Sequence, residues 1–150
     1  MYKRILVPVD GSATANKALT TALQLARDSG GRVRLLHALD ELAYLTGYEY
    51  SPDVFKIARE NAGKVLDDAA AIAQSAGVPC ERVLIDAAGV RLGESAAAEA
   101  RQWEADLIVV GTHGRRGIGR VLLGSGAEQV IRLAPVPVLV IRGSEAATGG

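Results

Sequence analysis

The chain has 150 residues, 49% hydrophobic but only 4% aromatic, which suits one domain with a sizeable core built from Val, Ile, Leu and Ala. Seventeen Lys and Arg balance seventeen Asp and Glu, and a chain with no basic excess is a poor candidate for gripping a duplex through its phosphates, so nucleic acid is not an expected partner. Cys80 is the only cysteine, which excludes an internal disulfide and a cysteine metal cluster.

After Met1-Tyr2-Lys3-Arg4 the run 5–9 is apolar, as in a parallel strand covered on both faces, and too short for a signal peptide. No later segment approaches a membrane span, so the expectation is a cytoplasmic protein with no membrane insertion. Asp10-Gly11-Ser12 breaks the run, and Ser12 is a candidate N-cap for a helix whose apolar positions Ala15, Ala18, Leu19, Ala22, Leu23 and Ala26 repeat every 3.6 residues. Gly30-Gly31 ends that helix, and Val33, Leu35 and Leu36 lead to His37-Ala38 in a second strand. Residues 39–52 are the least regular stretch, and pattern alone assigns them no fold. Ser51-Pro52-Asp53 starts a second helix, with proline at its first position, which runs to a stop at Gly77.

Residues 83–85 read as a third strand, with Cys80 a small half-buried residue ahead of it. A third helix is expected over 93–104, with Trp103 packed on the sheet. The fourth strand, 107–110, is wholly apolar; a short helix from Ser125 to about Leu133 and a fifth strand over 138–141 complete the pattern. Residues 144–150 read as a flexible tail behind a single domain of 1–143. Strands alternating with helices imply right-handed crossovers and a parallel, doubly wound sheet. If its two halves wind in opposite directions, strands 1 and 4 lie together at the switch point, where such sheets bind ligands.

The outgoing ends of those strands are the most informative places in the chain. Asp10-Gly11-Ser12 leaves the first; Gly111-Thr112-His113-Gly114 leaves the fourth, and after nine intervening residues Gly124-Ser125-Gly126 opens a helix. Glycines remove Cβ bulk and a helix start presents unpaired N–H groups, both of which suit a phosphate. Asp10 can accept from ribose hydroxyls, hold its own turn, or support a phosphate-bound Mg²⁺. Ser12 is a cap first and a phosphate or metal ligand second. His113 can donate to a phosphate or face solvent; Arg115, Arg116 and Arg120 can neutralise phosphate charge or be merely solvated. Ala38 is small enough to flank a purine. No Walker pattern or nucleophile elbow is present, no paired carboxylates suggest acid–base chemistry, and two histidines make a zinc site improbable. The residues describe a holder of a ligand better than a catalyst.

The spacing Gly111-x2-Gly114-x9-Gly124-Ser125 resembles the G-2x-G-9x-G-[ST] nucleotide motif of the universal stress protein A family, in its ATP-binding branch. The resemblance extends from Ile5-Leu6-Val7-Pro8-Val9-Asp10-Gly11-Ser12 through Leu35-Leu36-His37-Ala38 to the closing strand that follows Pro135. It implies a single-domain, Rossmann-like α/β fold: a five-stranded parallel sheet of order 3-2-1-4-5 with helices on both faces. It also implies that Pro8, Val9 and Asp10 contact adenosine, with Asp10 on the ribose and Ala38 against adenine. Val110, Gly111, His113 and Gly114 would line ribose and phosphates, and Gly124, Ser125, Gly126 and Ala127 would hold the phosphate tail. The family commonly carries a bulkier apolar residue at the place of Gly126.

The implied ligand is ATP or another adenine nucleotide, with Mg²⁺ as a candidate companion. The implied assembly is a homodimer through the last strand, the stretch 136–141 bounded by Val136 and Ile141, since an apolar edge strand otherwise invites uncontrolled pairing. The leading expectation is an ATP-binding stress-response regulator or sensor acting on a protein partner the sequence does not identify. The alternatives are a slow ATP-hydrolysing or phosphotransfer enzyme, and a dimeric interaction module with a vestigial pocket.

Overall fold

The structure is a computed structural model that describes residues 2–39, 52–85, 92–112 and 125–142. The expected tail and the glycine loop between the fourth strand and the last helix lie outside the described residues. So does all but Leu39 and Pro52 of the irregular stretch 39–52.

The described chain runs β1 (Arg4–Pro8), α1 (Ala13–Ser29), β2 (Arg32–Ala38), α2 (Pro52–Ala76), β3 (Cys80–Ile85), α3 (Leu92–Trp103), β4 (Leu107–Gly111), α4 (Ser125–Leu133) and β5 (Val138–Ile141). The strands form one parallel sheet of order β3-β2-β1-β4-β5. The expected doubly wound architecture is therefore present, with β1 and β4 side by side at its centre. Ile5 pairs with Leu107 and Leu6 with Ile108, while on the other side Pro8 stands opposite Leu36.

Because strand side chains alternate between faces, the apolar run of β1 divides between two cores. Ile5, Val7 and Val9 join Val33, Leu35, Leu107 and Val109 beneath α1 and α2, where Leu19, Leu23, Leu66 and Ala73 close the layer. Leu6 joins Leu36, Ile108 and Val110 on the opposite face, covered by Ala96, Ala100 and Trp103 of α3 and by Ala127 and Val130 of α4. Trp103 packs on the sheet as its position in the third helix predicts.

At the incoming edge, the Asp106 carboxylate accepts from the Lys3 and Arg4 backbone N–H groups at 2.8 and 3.1 Å, tying the start of β1 to that of β4. The helix starts are as read from the sequence: Ser12 caps α1, accepting the Ala15 N–H at 3.1 Å, and Pro52 opens α2.

β3 differs from expectation. It begins at Cys80 rather than Val83, so Cys80 stands within the strand. The signal was hidden because Glu81 and Arg82, on an outer strand, are exposed while their backbones still pair with Arg34 and Leu35. An outer strand needs no continuous apolar run.

Candidate functional site

The β1–α1 turn is built by three local devices. Gly11 takes φ +84°, a left-handed conformation that side-chain-bearing residues adopt with strain, and this turns the chain sharply out of the sheet. Asp10 braces the turn: its Oδ1 accepts the Ser12 N–H at 2.9 Å. One oxygen is thus spent on the turn, while Asp10 itself is exposed. Ser12 accepts at its hydroxyl oxygen from Ala15, which leaves the hydroxyl proton available for donation.

Val9 precedes this turn and its backbone is fully engaged. Its N–H donates to Leu36 O at 2.8 Å, and its carbonyl accepts from His37 Nδ1 at 2.7 Å. A carbonyl can only accept, so Nδ1 of His37 carries the hydrogen. His37 is therefore a strut between the outgoing ends of β2 and β1. Sequence reading placed it only as a strand residue; a lone half-buried polar side chain in the apolar run Leu35-Leu36-His37-Ala38 was the available signal.

The remaining site residues fall as follows. Pro8 ends β1 and is buried, Ala38 ends β2 and is half-buried, Val110 is buried in β4, and Gly111 ends β4. Ser125, Gly126 and Ala127 form the first turn of α4. The sheet order thus brings the Asp10 turn, the end of β4 and the end of β2 to one rim. Ala127 shares a core with Val110 and Leu6, which sets the start of α4 over the same half of the sheet. His113, Gly114, Gly124 and the three arginines lie outside the described residues.

Gly111 has a packing reason as well. A Cβ built on it would fall 2.6 Å from Thr14 Cγ2 and 2.8 Å from Thr14 O. The space freed by this glycine is taken by the first turn of α1, so the missing side chain lets helix and strand close on each other. Thr14 is the second residue that sequence reading did not single out. Beside the same turn, on the α1–α2 side, a cleft of about 330 Å³ is lined by Val9, Gly11, Asn16, Asn61, Lys64 and Asp68, among others. Among the described residues no three His, Cys, Asp or Glu side chains are grouped to hold a metal ion, and no helix is long and apolar enough to cross a membrane.

Comparison with known proteins decides the family. Residues 1–142 match the Universal stress protein family. The chain belongs to that family. A universal stress protein of Thermus aquaticus is 35% identical over 142 residues, spanning 95% of this chain and 100% of the relative. Among solved structures, a universal stress protein family member from Burkholderia pseudomallei aligns with TM-score 0.74 at 35% identity, covering 93% of this chain and 96% of that one. A universal stress protein from Archaeoglobus fulgidus, solved in complex with dAMP, aligns with TM-score 0.71 at 27% identity, covering 93% and 98%.

Proposed function

We propose that this universal stress protein binds an adenine nucleotide, ATP foremost, above the outgoing ends of β1 and β4, and that occupancy biases a surface read by a regulatory partner. The observation that carries the reading is the Asp10 turn. An exposed aspartate, one carboxylate oxygen accepting the Ser12 N–H, stands at the switch point of a doubly wound sheet. The dAMP complex of the Archaeoglobus fulgidus relative supports the ligand class.

In this reading Oδ2 of Asp10 accepts from ribose hydroxyl groups. Pro8 has no N–H and both backbone groups of Val9 are engaged, so these two residues contribute a rigid apolar wall. Ala38 leaves room for the purine plane. Val110, Gly111, His113 and Gly114 line the ribose and phosphates. The phosphates lie toward the first turn of α4, where Gly124, Ser125, Gly126 and Ala127 offer backbone donors at the positive end of a nine-residue helix. A Mg²⁺ held by the phosphates would find Asp10 and the Ser12 hydroxyl nearby. Binding becomes signalling only if the nucleotide favours one conformation over another. The homodimer is proposed through β5, an outer strand on which Leu139 is 37% exposed.

The test is to denature the purified protein, identify the small molecules released, and titrate the emptied protein with Mg·ATP. An adenine nucleotide in the extract, or saturable heat on titration, is expected. Asp10→Ala should weaken binding about ten- to a hundredfold, the worth of one to two hydrogen bonds to a charged acceptor. No adenylate and no heat would sink the proposal.

A further inference from the structure

The short helix α4 reaches the sheet through Ala127 and Val130, and its direction is set sideways, against the start of α3. There the two helices meet backbone to backbone. A Cβ built on Gly93 would fall 2.4 Å from Gln129 Cβ, 2.8 Å from its carbonyl carbon and 3.0 Å from its carbonyl oxygen. One turn nearer the start of α4, a Cβ on Gly126 would meet Leu92 Cδ2 at 3.1 Å. Gly126 and Gln129 are three residues apart and share a helix face, so both contacts belong to one joint. Gln129 also reaches back across it: its Oε1 accepts the Gly93 N–H at 3.4 Å, one of the donors a helix leaves open at its start. α3 is itself fixed to the sheet by Ala96, Ala100 and Trp103, and by Glu99 paired with Arg34 of β2. The joint is therefore a rigid seat for α4.

We infer that Gly93 is a positioning residue for the phosphates of the bound nucleotide. The inference rests on the nucleotide reading above and assigns Gly93 to one part of the ligand. A methyl group at position 93 overlaps main-chain atoms of Gln129, which cannot rotate aside as a side chain can. The helix must shift, and with it the first-turn N–H groups that face the phosphates. Hydrogen bonds to an anion lose strength steeply with distance and angle, so the phosphates contribute less. The nucleoside end is braced by hydrogen bonds outside the joint. Asp10 and Ala38 leave β1 and β2, and their turn is braced by Ser12, Leu36 and His37, none of which belongs to the joint.

The experiment is calorimetric titration of the whole protein with adenosine and with Mg·ATP. In the wild type ATP should bind more tightly than adenosine. In Gly93→Ala that ratio should fall about tenfold while adenosine affinity stays within about twofold, and adding Gln129→Gly should restore part of the ratio. Leu66→Ala, a core truncation in α2 on the other face, should destabilise the fold and leave the ratio unchanged. Should Gly93→Ala fail to fold, Gly126→Ala presses only on the far end of the Leu92 side chain. Its ratio should fall about two- to threefold and recover when Leu92→Ala is added, a rescue that a direct phosphate contact by Gly126 would not give. Folded joint variants with an unchanged ratio, or with adenosine and ATP weakened equally, overturn the assignment of Gly93. A wild type that binds adenosine as tightly as ATP overturns instead the placement of phosphates at α4.

Discussion

The two faces of the sheet hold their helices by different means. Under α1 and α2 the contacts are mainly aliphatic, apart from the close approach of Gly111 to Thr14: Ile5, Val7, Val33, Leu35, Leu19 and Leu23 lie in one cluster, the strand residues at 0% exposure. Under α3 and α4 the apolar layer is interrupted by directional contacts. Arg34 donates to Glu81 through Nε at 3.0 Å, pairs with Glu99 of α3, and lies 4.7 Å above the Trp103 ring; the glycine joint follows one helix further on. Burial opposes the charge on Arg34, but the hydrogen bonds and charges of Glu81 and Glu99 outweigh it and raise its pKa, so it stays a cation. Burial of an apolar stripe sets which side of a helix faces the sheet, while a fork of donors and a close backbone contact fix its tilt and position more finely. The first face is held mainly by apolar burial. The second adds more directional contacts, on the side where the candidate phosphate-binding helix start sits.

Substitutions should separate these roles. Leu35→Ala empties fully buried volume on the aliphatic face and should cost about 2–5 kcal/mol of unfolding free energy, read from urea denaturation. Glu99→Ala removes one of two partners from a cation whose side chain is 20% exposed, so a smaller loss of about 1–3 kcal/mol is expected. The comparison of faces breaks if Glu99→Ala costs more than Leu35→Ala. It sharpens if Glu99→Ala, at lesser cost, lowers the affinity for ATP more than that for adenosine, since α3 seats α4.

The same division explains what could be read from the sequence. The strands and helices were legible from the length and period of their apolar runs, as in 5–9 and in the 3.6-residue period of Ala15, Ala18, Leu19, Ala22 and Leu23, whereas the strand order came from the family resemblance. Asp10 and Gly111 were legible because opposite winding of the two halves puts β1 beside β4, and the structure has that order. The struts were not. His37 and Val9 meet across 28 residues, Arg34 and Glu99 across 65, and Gly93 and Gln129 across 36, so no local period marks them. The glycine of Gly111 was read as room for a ligand, while the structure gives that room to Thr14. A missing side chain signals a close approach without saying by what.

His37→Ala should remove the donor to the Val9 carbonyl and cost about 1 kcal/mol of stability, with a several-fold loss of nucleotide affinity because the Asp10 turn is no longer held from β2. His37→Asn retains a donor and should recover part of both. Equal, full affinity in all three proteins would separate the strut from the site.

The smallest effect belongs to Cys80, far from the candidate site on the outer strand β3. Burial raises its pKa, with the nearby Glu81 adding to the shift and Arg82 opposing it. A thiol that ionises later in the folded state than in the unfolded one contributes stability that is complete at neutral pH. That contribution is lost as the pH climbs through the alkaline range toward the folded-state pKa. Urea midpoints of the wild type should therefore fall between about pH 7 and about pH 9.5 by slightly more than those of Cys80→Ala. For the same reason the native thiol should react with iodoacetamide at neutral pH more slowly than the unfolded chain does, since only the thiolate attacks. A native rate equal to the unfolded one would mean that the Cys80 thiol is as accessible and as readily ionised in β3 as in the unfolded chain.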